Sequence, residues 1–282
     1  MKKEENLFEG FFEGINKVIK VAGELGKFAE DTLKKFYSEN KEFIKLLSEI
    51  TPEEFEARSV EMDRSFNVFM VELGYPPVSN LDGEDFLKLY EAKEEKGVDY
   101  VKKYIDDFML SRFNDQEILK TYNEWCKYSW IEDRIPILKE AISAHNMQMY
   151  KVSVPTLLVQ CEGIIAVAFE HKGKMNHKNY YRNKDKKQET SLEDYLNIMI
   201  SEVGEDSFAL GVKEFYLQYM LVGFRHGHKI KSPLSRNAIL HGGDTKYGTV
   251  SNSLKAFLMF NELLVTLNSF REKKEKKGPI CE

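Results

Sequence analysis

Apolar residues recur three or four positions apart along almost the whole of this 282-residue chain. This spacing places them on one face of a helix, and it continues between glycine and proline breaks to about residue 270. An all-α fold is therefore predicted. The predicted helices cover residues 6–50, 51–73, 82–107 with an interruption near Gly97, 131–149, 154–169, 191–203, 208–224 and about 249–270.

The composition indicates a globular protein inside the cell. Hydrophobic residues make up 42% of the chain, which is enough to fill a core. No run approaches 18 uninterrupted apolar positions, and residues 1–5 are polar and lead into an amphipathic helix. Cys126, Cys161 and Cys281 are widely spaced, so neither a disulfide framework nor a zinc site is predicted. We expect a cytoplasmic protein with no membrane partner and no cofactor.

Charge divides the chain into two unequal halves. Residues 1–150 carry 21 basic and 31 acidic side chains, whereas residues 151–282 carry 20 basic and 15 acidic ones. Binding to a nucleic-acid backbone depends on positive charge, so a role in nucleic-acid binding is assigned to the second half. The predicted boundary is at Tyr150-Lys151-Val152-Ser153, and it could be functional rather than structural.

Residues 233–243 (PLSRNAILHGG) carry the most compact set of chemically able side chains. Ser235 or Pro233 can begin a helical turn, and the two glycines after His241 can end it. The Ala-Ile-Leu triplet between them is apolar enough to bury one side. A short buried helix is predicted here.

The polar residues of this short helix suit cleavage of a phosphodiester. Asn237 and His241 are four positions apart and share a face, while Arg236 lies further round and must reach by its long side chain. An imidazole can give or take a proton near neutral pH, and a guanidinium is a permanent clamp for a phosphate. An amide can orient either partner. No metal is needed for this chemistry.

The segment Arg236-Asn237-Ala238-Ile239-Leu240-His241-Gly242, followed by a predicted helix from about Thr249 to Phe270, resembles the HEPN superfamily. An Arg and a His at this kind of spacing are expected to occur by chance on the order of 0.5 times in a chain of this composition. The resemblance depends on the context: Asn directly after Arg, the apolar triplet, Gly after His and the long helix that follows. It covers roughly residues 150 to 272.

The resemblance implies a helical bundle that forms a homodimer and brings two copies of the motif over an RNA strand. Many members are metal-independent endoribonucleases of toxin and antiviral defence systems, and others keep the fold without the chemistry. Carried over by position, Arg236 and His241 are the catalytic pair, with Asn237 beside the arginine. The expected reaction is 2′-hydroxyl attack, giving 2′,3′-cyclic phosphate and 5′-hydroxyl ends. The alternative is an inactive module that binds RNA, a nucleotide or a protein partner such as an antitoxin.

The domain organisation expected from this resemblance has three parts. Residues 1–150 form a helical N-terminal region of unknown role, 151–272 form the HEPN-like bundle, and 273–282 form a charged tail. The charge run that begins at Arg271 is expected to follow the end of the fold and to fray.

Glu162 is the best candidate for a supporting acidic residue from an earlier helix of the bundle. It lies in the most apolar run of the chain, where a buried carboxylate needs a partner. Arg236 or His241 would supply one. The alternative is an ordinary, partly exposed glutamate.

Two basic segments are candidates for RNA contact. The first, residues 171–187, combines positive charge with aromatic rings that can stack on a base, and its candidate residues are Lys178, Tyr180, Tyr181, Arg182 and Lys184. A solvated surface loop is the alternative. The second leads into the short helix, and its candidates are Arg225, His226, His228, Lys229 and Lys231.

His226 and His228 also raise the question of a metal site. No carboxylate or third histidine stands nearby in the sequence, and Gly227 between them makes the geometry loose. We therefore assign no metal ligands, and expect these histidines to add positive charge or to assist His241 in proton transfer.

Four aromatic residues, Tyr122, Trp125, Tyr128 and Trp130, form a group that could stack on bases or fill a core. Their spacing of three, three and two positions favours the core.

Overall fold

A computed structural model describes residues 67–79, 81, 83–172, 191–203 and 207–277. Every regular element in these ranges is a helix, which confirms the all-α prediction. These residues belong to one unit of the chain, Arg64–Glu282. The one or two helices predicted over 6–50 lie outside the described residues, as does most of the helix predicted over 51–73, of which the described residues 67–72 are helical.

The helices are labelled in chain order within these ranges. They are α1 (Gly83–Lys96), α2 (Val98–Arg112), α3 (Asp115–Trp125), α4 (Ile135–Asn146), α5 (Tyr150–Ala168), α6 (Leu192–Val203), α7 (Ser207–Phe215), α8 (Arg236–Leu240) and α9 (Val250–Lys277). A 3₁₀ turn, Ser129–Arg134, precedes α4, and a π-helical turn, Tyr216–Met220, extends α7.

Local sequence explains the boundaries of the first helices. Gly97 separates α1 from α2 with a backbone φ of +81°, a conformation that glycine adopts freely, so the predicted interruption is confirmed. Helix α3 was not predicted. Its start is fixed by Asn114, whose side-chain oxygen accepts from the N–H groups of Gln116 at 3.0 Å and Glu117 at 3.2 Å.

Helices α5 and α9 pack against each other at the centre of the fold, with α4 and α6 against them. The inward stripe predicted for the last helix is confirmed. Its residues, all buried, are Leu254, Phe257, Leu258, Leu263, Leu264 and Leu267. The proposed boundary at residues 150–153 falls in the first turn of α5, and the helices on either side of it, α4 and α5, share this core.

The aromatic group belongs to the core, as predicted. Trp125 is fully buried, its ring lies 4.7 Å from that of Phe260, and its Nε1 donates to Asn261 at 2.8 Å. The other three, Tyr122, Tyr128 and Trp130, are partly buried and pack against the same core. Among the described residues, this group therefore provides no base-stacking platform.

Helix α5 is long and apolar enough to cross a membrane, with a mean hydropathy of 1.4. Half of that stretch is buried against other parts of this chain. The same composition is typical of the central helix of a bundle, because such a helix is covered on most sides.

The prediction that the fold ends before the charge run at Arg271 is wrong. Helix α9 continues to Lys277. Lys, Arg and Glu have high helix propensity, and the run is anchored by Lys274, whose Nζ lies 3.5 Å from a carboxylate oxygen of Glu170. Residues 278–282 of the predicted tail lie outside the described residues.

Candidate functional site

Helix α8 begins at Ser235, one of the two residues predicted to open it. The Ser235 hydroxyl oxygen accepts from the N–H of Ala238 at 3.3 Å, which caps the helix. The same hydroxyl donates to the carbonyl of Val222 at 2.7 Å. One side chain therefore starts α8 and ties it to the chain segment that precedes it.

The two glycines end α8 as predicted. Gly242 has a φ of +72°, and its N–H donates to the carbonyl of Ile239 at 3.1 Å. The N–H of Gly243 donates to the carbonyl of Ala238 at 2.7 Å. These two bonds form a Schellman motif, which leaves His241 as the C-terminal cap.

The apolar triplet of α8 is only partly buried. Ala238 and Ile239 lie in the core, whereas the side chain of Leu240 is 37% exposed. The predicted burial of one side of the helix is therefore confirmed by Ala238 and Ile239, and Leu240 lies on the exposed side. Consecutive residues turn through about 100° on a helix, so three in a row cannot all face inward.

Glu162, near the middle of α5, forms an ion pair with Arg236. The two side chains are 22% and 14% exposed. Of the two partners predicted for Glu162, the structure shows Arg236, and the glutamate side chain stays partly exposed. Helix α8 is thereby fixed against α5.

Buried neutral groups surround the ion pair. Burial raises the pKa of the Tyr216 phenol well above its ordinary value, and the negative charge of Glu162 adds to this, while Arg236 opposes it. Burial also raises the pKa of the Cys161 thiol, with Arg236 again opposing. Both groups are therefore protonated near neutral pH. The low polarity around them strengthens the attraction between Arg236 and Glu162.

His241 is exposed, and its ring lies beside that of Phe224. The two ring centres are 6.3 Å apart with 17° between the planes. The Phe224 ring also meets the ring of His226 at 4.9 Å, edge to face. Gly243 makes room for Phe224, because a Cβ there would lie 2.3 Å from the Phe224 Cε2 atom. Phe224 therefore joins the loop to the end of α8.

Arg236 and His241 leave α8 on different sides. Their five-residue separation corresponds to about 140° of helical rotation. Arg236 extends toward Glu162 on α5, and His241 lies toward Phe224 and solvent. Asn237 is partly exposed, and its carbonyl accepts from the backbone N–H of His241 at 3.1 Å.

The second basic segment lies between the π-helical turn and α8. The candidate RNA-binding residues Arg225, His226, His228, Lys229 and Lys231 are all exposed. Gly227 has a φ of +78°, which lets the loop turn there. The loop presents its cationic side chains to solvent, and its His226 contacts the Phe224 ring that lies beside His241.

The first basic segment cannot be placed in the same way. Its candidates Lys178, Tyr180, Tyr181, Arg182 and Lys184 lie outside the described residues. Within the ranges that are described, no group of three or more His, Cys, Asp or Glu side chains could hold a metal ion.

Three residues near this site were not singled out from the sequence. Phe224 joins His226 to His241, and Tyr216 lies beside the Glu162–Arg236 pair. Arg134 covers Gly163, because a Cβ there would lie 2.2 Å from its Nη1 atom, and that atom donates to Gln160 at 2.6 Å.

The sequence signals that could have pointed to Phe224 and Arg134 were two glycines. Gly243 after the short helix and Gly163 inside a long helix each mark a position where another side chain approaches the backbone closely. The sequence does not say which side chain that is.

No protein-family model matches this chain, and neither a curated protein nor a solved structure matches it.

Proposed function

We propose that this protein is a metal-independent endoribonuclease of the HEPN type. The observation that carries the proposal is the ion pair between Glu162 of α5 and Arg236, which begins the short helix α8 that ends in the exposed His241. A fixed guanidinium can stabilise the charge that develops on a phosphate, and an accessible imidazole can transfer a proton, so the two suit phosphodiester cleavage without a metal.

In the proposed reaction, the 2′-hydroxyl of RNA attacks the adjacent phosphorus and the bond to the 5′-oxygen breaks. The products are a 2′,3′-cyclic phosphate and a 5′-hydroxyl. Arg236 stabilises the charge that develops on the phosphoryl oxygens, and His241 transfers a proton. Asn237, next to Arg236, orients the phosphate or the imidazole.

A homodimer solves a geometric problem of the single chain. Arg236 and His241 leave α8 about 140° apart, so one copy presents them poorly to one phosphate. We propose that α8 of a second copy faces the first, so that Arg236 of one chain and His241 of the other act on the same strand. One histidine can then act as the base and its symmetry mate as the acid.

The exposed cationic loop supplies the electrostatic attraction for RNA. Arg225, Lys229 and Lys231 would contact phosphates, and contacts of this kind are weakened by salt. Such a nuclease harms the cell that makes it unless it is held in check. A toxin or antiviral defence role, with an antitoxin or similar partner in the cytoplasm, would provide that control.

Cleavage by the purified protein tests the proposal. The full chain is incubated with a single-stranded RNA in excess EDTA, and the product ends are identified by mass spectrometry. The proposal predicts 2′,3′-cyclic phosphate and 5′-hydroxyl ends that form equally well with and without the chelator. Intact RNA, or cleavage that depends on a divalent cation, would contradict it.

A second candidate function follows from the burial of the same ion pair. At 14% and 22% exposure, Arg236 and Glu162 are suitable for holding α8 in place without any catalysis. The protein would then be a helical module that binds RNA or a protein partner through the cationic loop. Retention of RNA in a binding assay, with no cleavage over hours, would favour this candidate.

A further inference from the structure

A cavity of about 620 Å³ lies on the other end of α5, away from Glu162. It is formed where the end of α2, the start of α3, the end of α4 and the first residues of α5 and α9 meet. Its volume falls within the range of small-molecule sites, about 300–1,000 Å³. Tyr150, at this cavity, and Glu162 lie twelve positions apart on α5, which corresponds to about 18 Å along the helix axis.

The cavity has a buried floor and a polar rim. Phe113 and His145, at 4% and 8% exposure, form the floor. The rim carries exposed amide side chains, which can donate and accept at once, from Gln116, Asn146 and Gln148. Among the described residues that line the cavity, Asp115 is the one with a carboxylate, and no lysine or arginine is among them.

The imidazole of His145 is held in a fixed orientation. Its Nδ1 lies 2.7 Å from the hydroxyl of Ser253, which lies 2.5 Å from the hydroxyl of Ser153 inside the core. Burial lowers the pKa of His145, although Asp115 opposes this, so the ring is neutral near neutral pH. With Nδ1 engaged inside, Nε2 is the ring nitrogen left for a further hydrogen bond.

Gln148 adopts a backbone conformation that glycine would adopt more easily. Its φ is +61°, its N–H donates to the carbonyl of His145 at 2.9 Å, and the next N–H, of Met149, donates to Ala144 at 2.7 Å. This is a Schellman motif with glutamine at the position that usually holds glycine. A residue other than glycine there costs about 1 kcal/mol.

We propose that this cavity binds a neutral purine nucleoside. Side-chain amides pair with the edge of a purine through one donor and one acceptor, as Asn146 and Gln148 can do. The partly exposed ring of Tyr150 offers a surface on which a base can stack. The carboxylate of Asp115 can accept from ribose hydroxyls, and it repels a phosphate. The proposal is independent of the nuclease, since no residue of the cavity belongs to that site.

Calorimetric titration of the full chain with adenosine and guanosine tests the proposal. At least one of the two is expected to bind saturably, and more tightly than its 5′-monophosphate. The variant Gln148→Gly is expected to weaken this binding at least tenfold while raising the melting temperature, because it removes both the amide and the backbone strain.

Glu170→Gly is the matched control. Glu170 also has a positive φ, of +51°, but it lies at the far end of α5. This variant should leave nucleoside affinity unchanged, while its melting temperature reflects both the relief of backbone strain and the loss of the ion pair with Lys274. Asn146→Ala, at an exposed position, should weaken binding without changing the melting temperature.

Three results would overturn the proposal. They are the absence of saturable binding by both nucleosides, tighter binding of the monophosphates, and unchanged affinity in both Gln148→Gly and Asn146→Ala.

Discussion

The guanidinium of Arg236 and the carboxylate of Glu162 form an ion pair that joins the first residue of α8 to the middle of α5. The pair is mostly shielded from water, and His241 follows at the other end of the same five-residue helix. The orientation of His241 therefore depends on the interaction that positions Arg236. Stability and the proposed catalysis can be separated only by substitutions that affect one of these residues at a time.

Arg236→Ala should destabilise the fold. Removing the guanidinium takes the paired cation away from the largely buried carboxylate of Glu162, so we expect the free energy of unfolding to fall by about 1–3 kcal/mol. Urea denaturation followed by circular dichroism measures this. Lys127→Ala is the control, because Lys127 pairs with Glu124 on the surface and should cost about 0.5 kcal/mol or less. Equal stability of Arg236→Ala and wild type would mean that the pair does not hold α8.

His241→Ala should slow RNA cleavage while leaving the stability of the fold almost unchanged. The side chain is exposed, so the free energy of unfolding should change by less than about 0.5 kcal/mol. Loss of the proton-transfer group should slow RNA cleavage by about 100-fold or more. Leu240→Ala is the control, since Leu240 is the exposed neighbour on the same helix, and its cleavage rate should stay close to wild type. A strongly destabilised His241→Ala would show that the imidazole has a structural role.

Gly243→Ala should disturb His241 from a distance. The added Cβ would overlap the Phe224 ring, so the ring must move, at a cost of about 1–3 kcal/mol. Because Phe224 lies beside His241, the imidazole resonances of His241 in an NMR spectrum should shift. Gly223→Ala is the control in the same loop, since a Cβ there has no atom within 4 Å. Identical His241 resonances in Gly243→Ala and wild type would contradict the contact.

Glu262 should make stability depend on pH. This glutamate of α9 is fully buried, and burial raises its pKa from 4.5 to about 7, against hydrogen bonds from Asn261 and Ser79. Between these values the unfolded chain releases a proton that the folded chain keeps, so stability falls as pH rises from 4.5 to about 7 and then levels off. The shift corresponds to about 3 kcal/mol.

Denaturation of wild type and Glu262→Gln at several pH values from 5 to 8 measures this contribution. The free energy of unfolding of wild type, measured relative to that of Glu262→Gln, should fall as pH rises. Glu272→Gln is the control, because Glu272 is exposed on the same helix and should keep the wild-type slope. Parallel profiles for wild type and Glu262→Gln would contradict the raised pKa.

Features set by neighbouring residues in the chain were predictable from the sequence. Ser235 as a cap, Gly242 as a stop and Gly97 as a break each act within one turn, where local rules hold. Pairing of Glu162 with Arg236 was predictable for a different reason. A carboxylate in the most apolar stretch of the chain needs a cationic partner, and Arg236 and His241 of the predicted short buried helix were the two candidates.

Contacts between distant segments were not predictable. Nothing in the sequence around Phe224 indicates that its ring lies between two histidines, because that contact depends on how the loop folds back onto α8. Similarly, the helix predicted to end at residue 224 ends at Met220, where a π-helical turn places the N–H of Leu221 on the carbonyl of Tyr216 at 2.9 Å. The roles of Arg236 and His241 stay a prediction, since geometry alone does not establish catalysis.

The most direct test of the account is a double-mutant cycle on RNA cleavage. Single-turnover rates are measured for wild type, Arg236→Ala, His241→Ala and the double variant, each at a concentration where circular dichroism confirms folding. If both residues act on one phosphodiester, each single variant should be slower by about 100-fold or more, and the double variant about as slow as the slower single one. A single variant that cleaves at the wild-type rate, or a double variant whose loss is the product of the two single losses, would contradict the account.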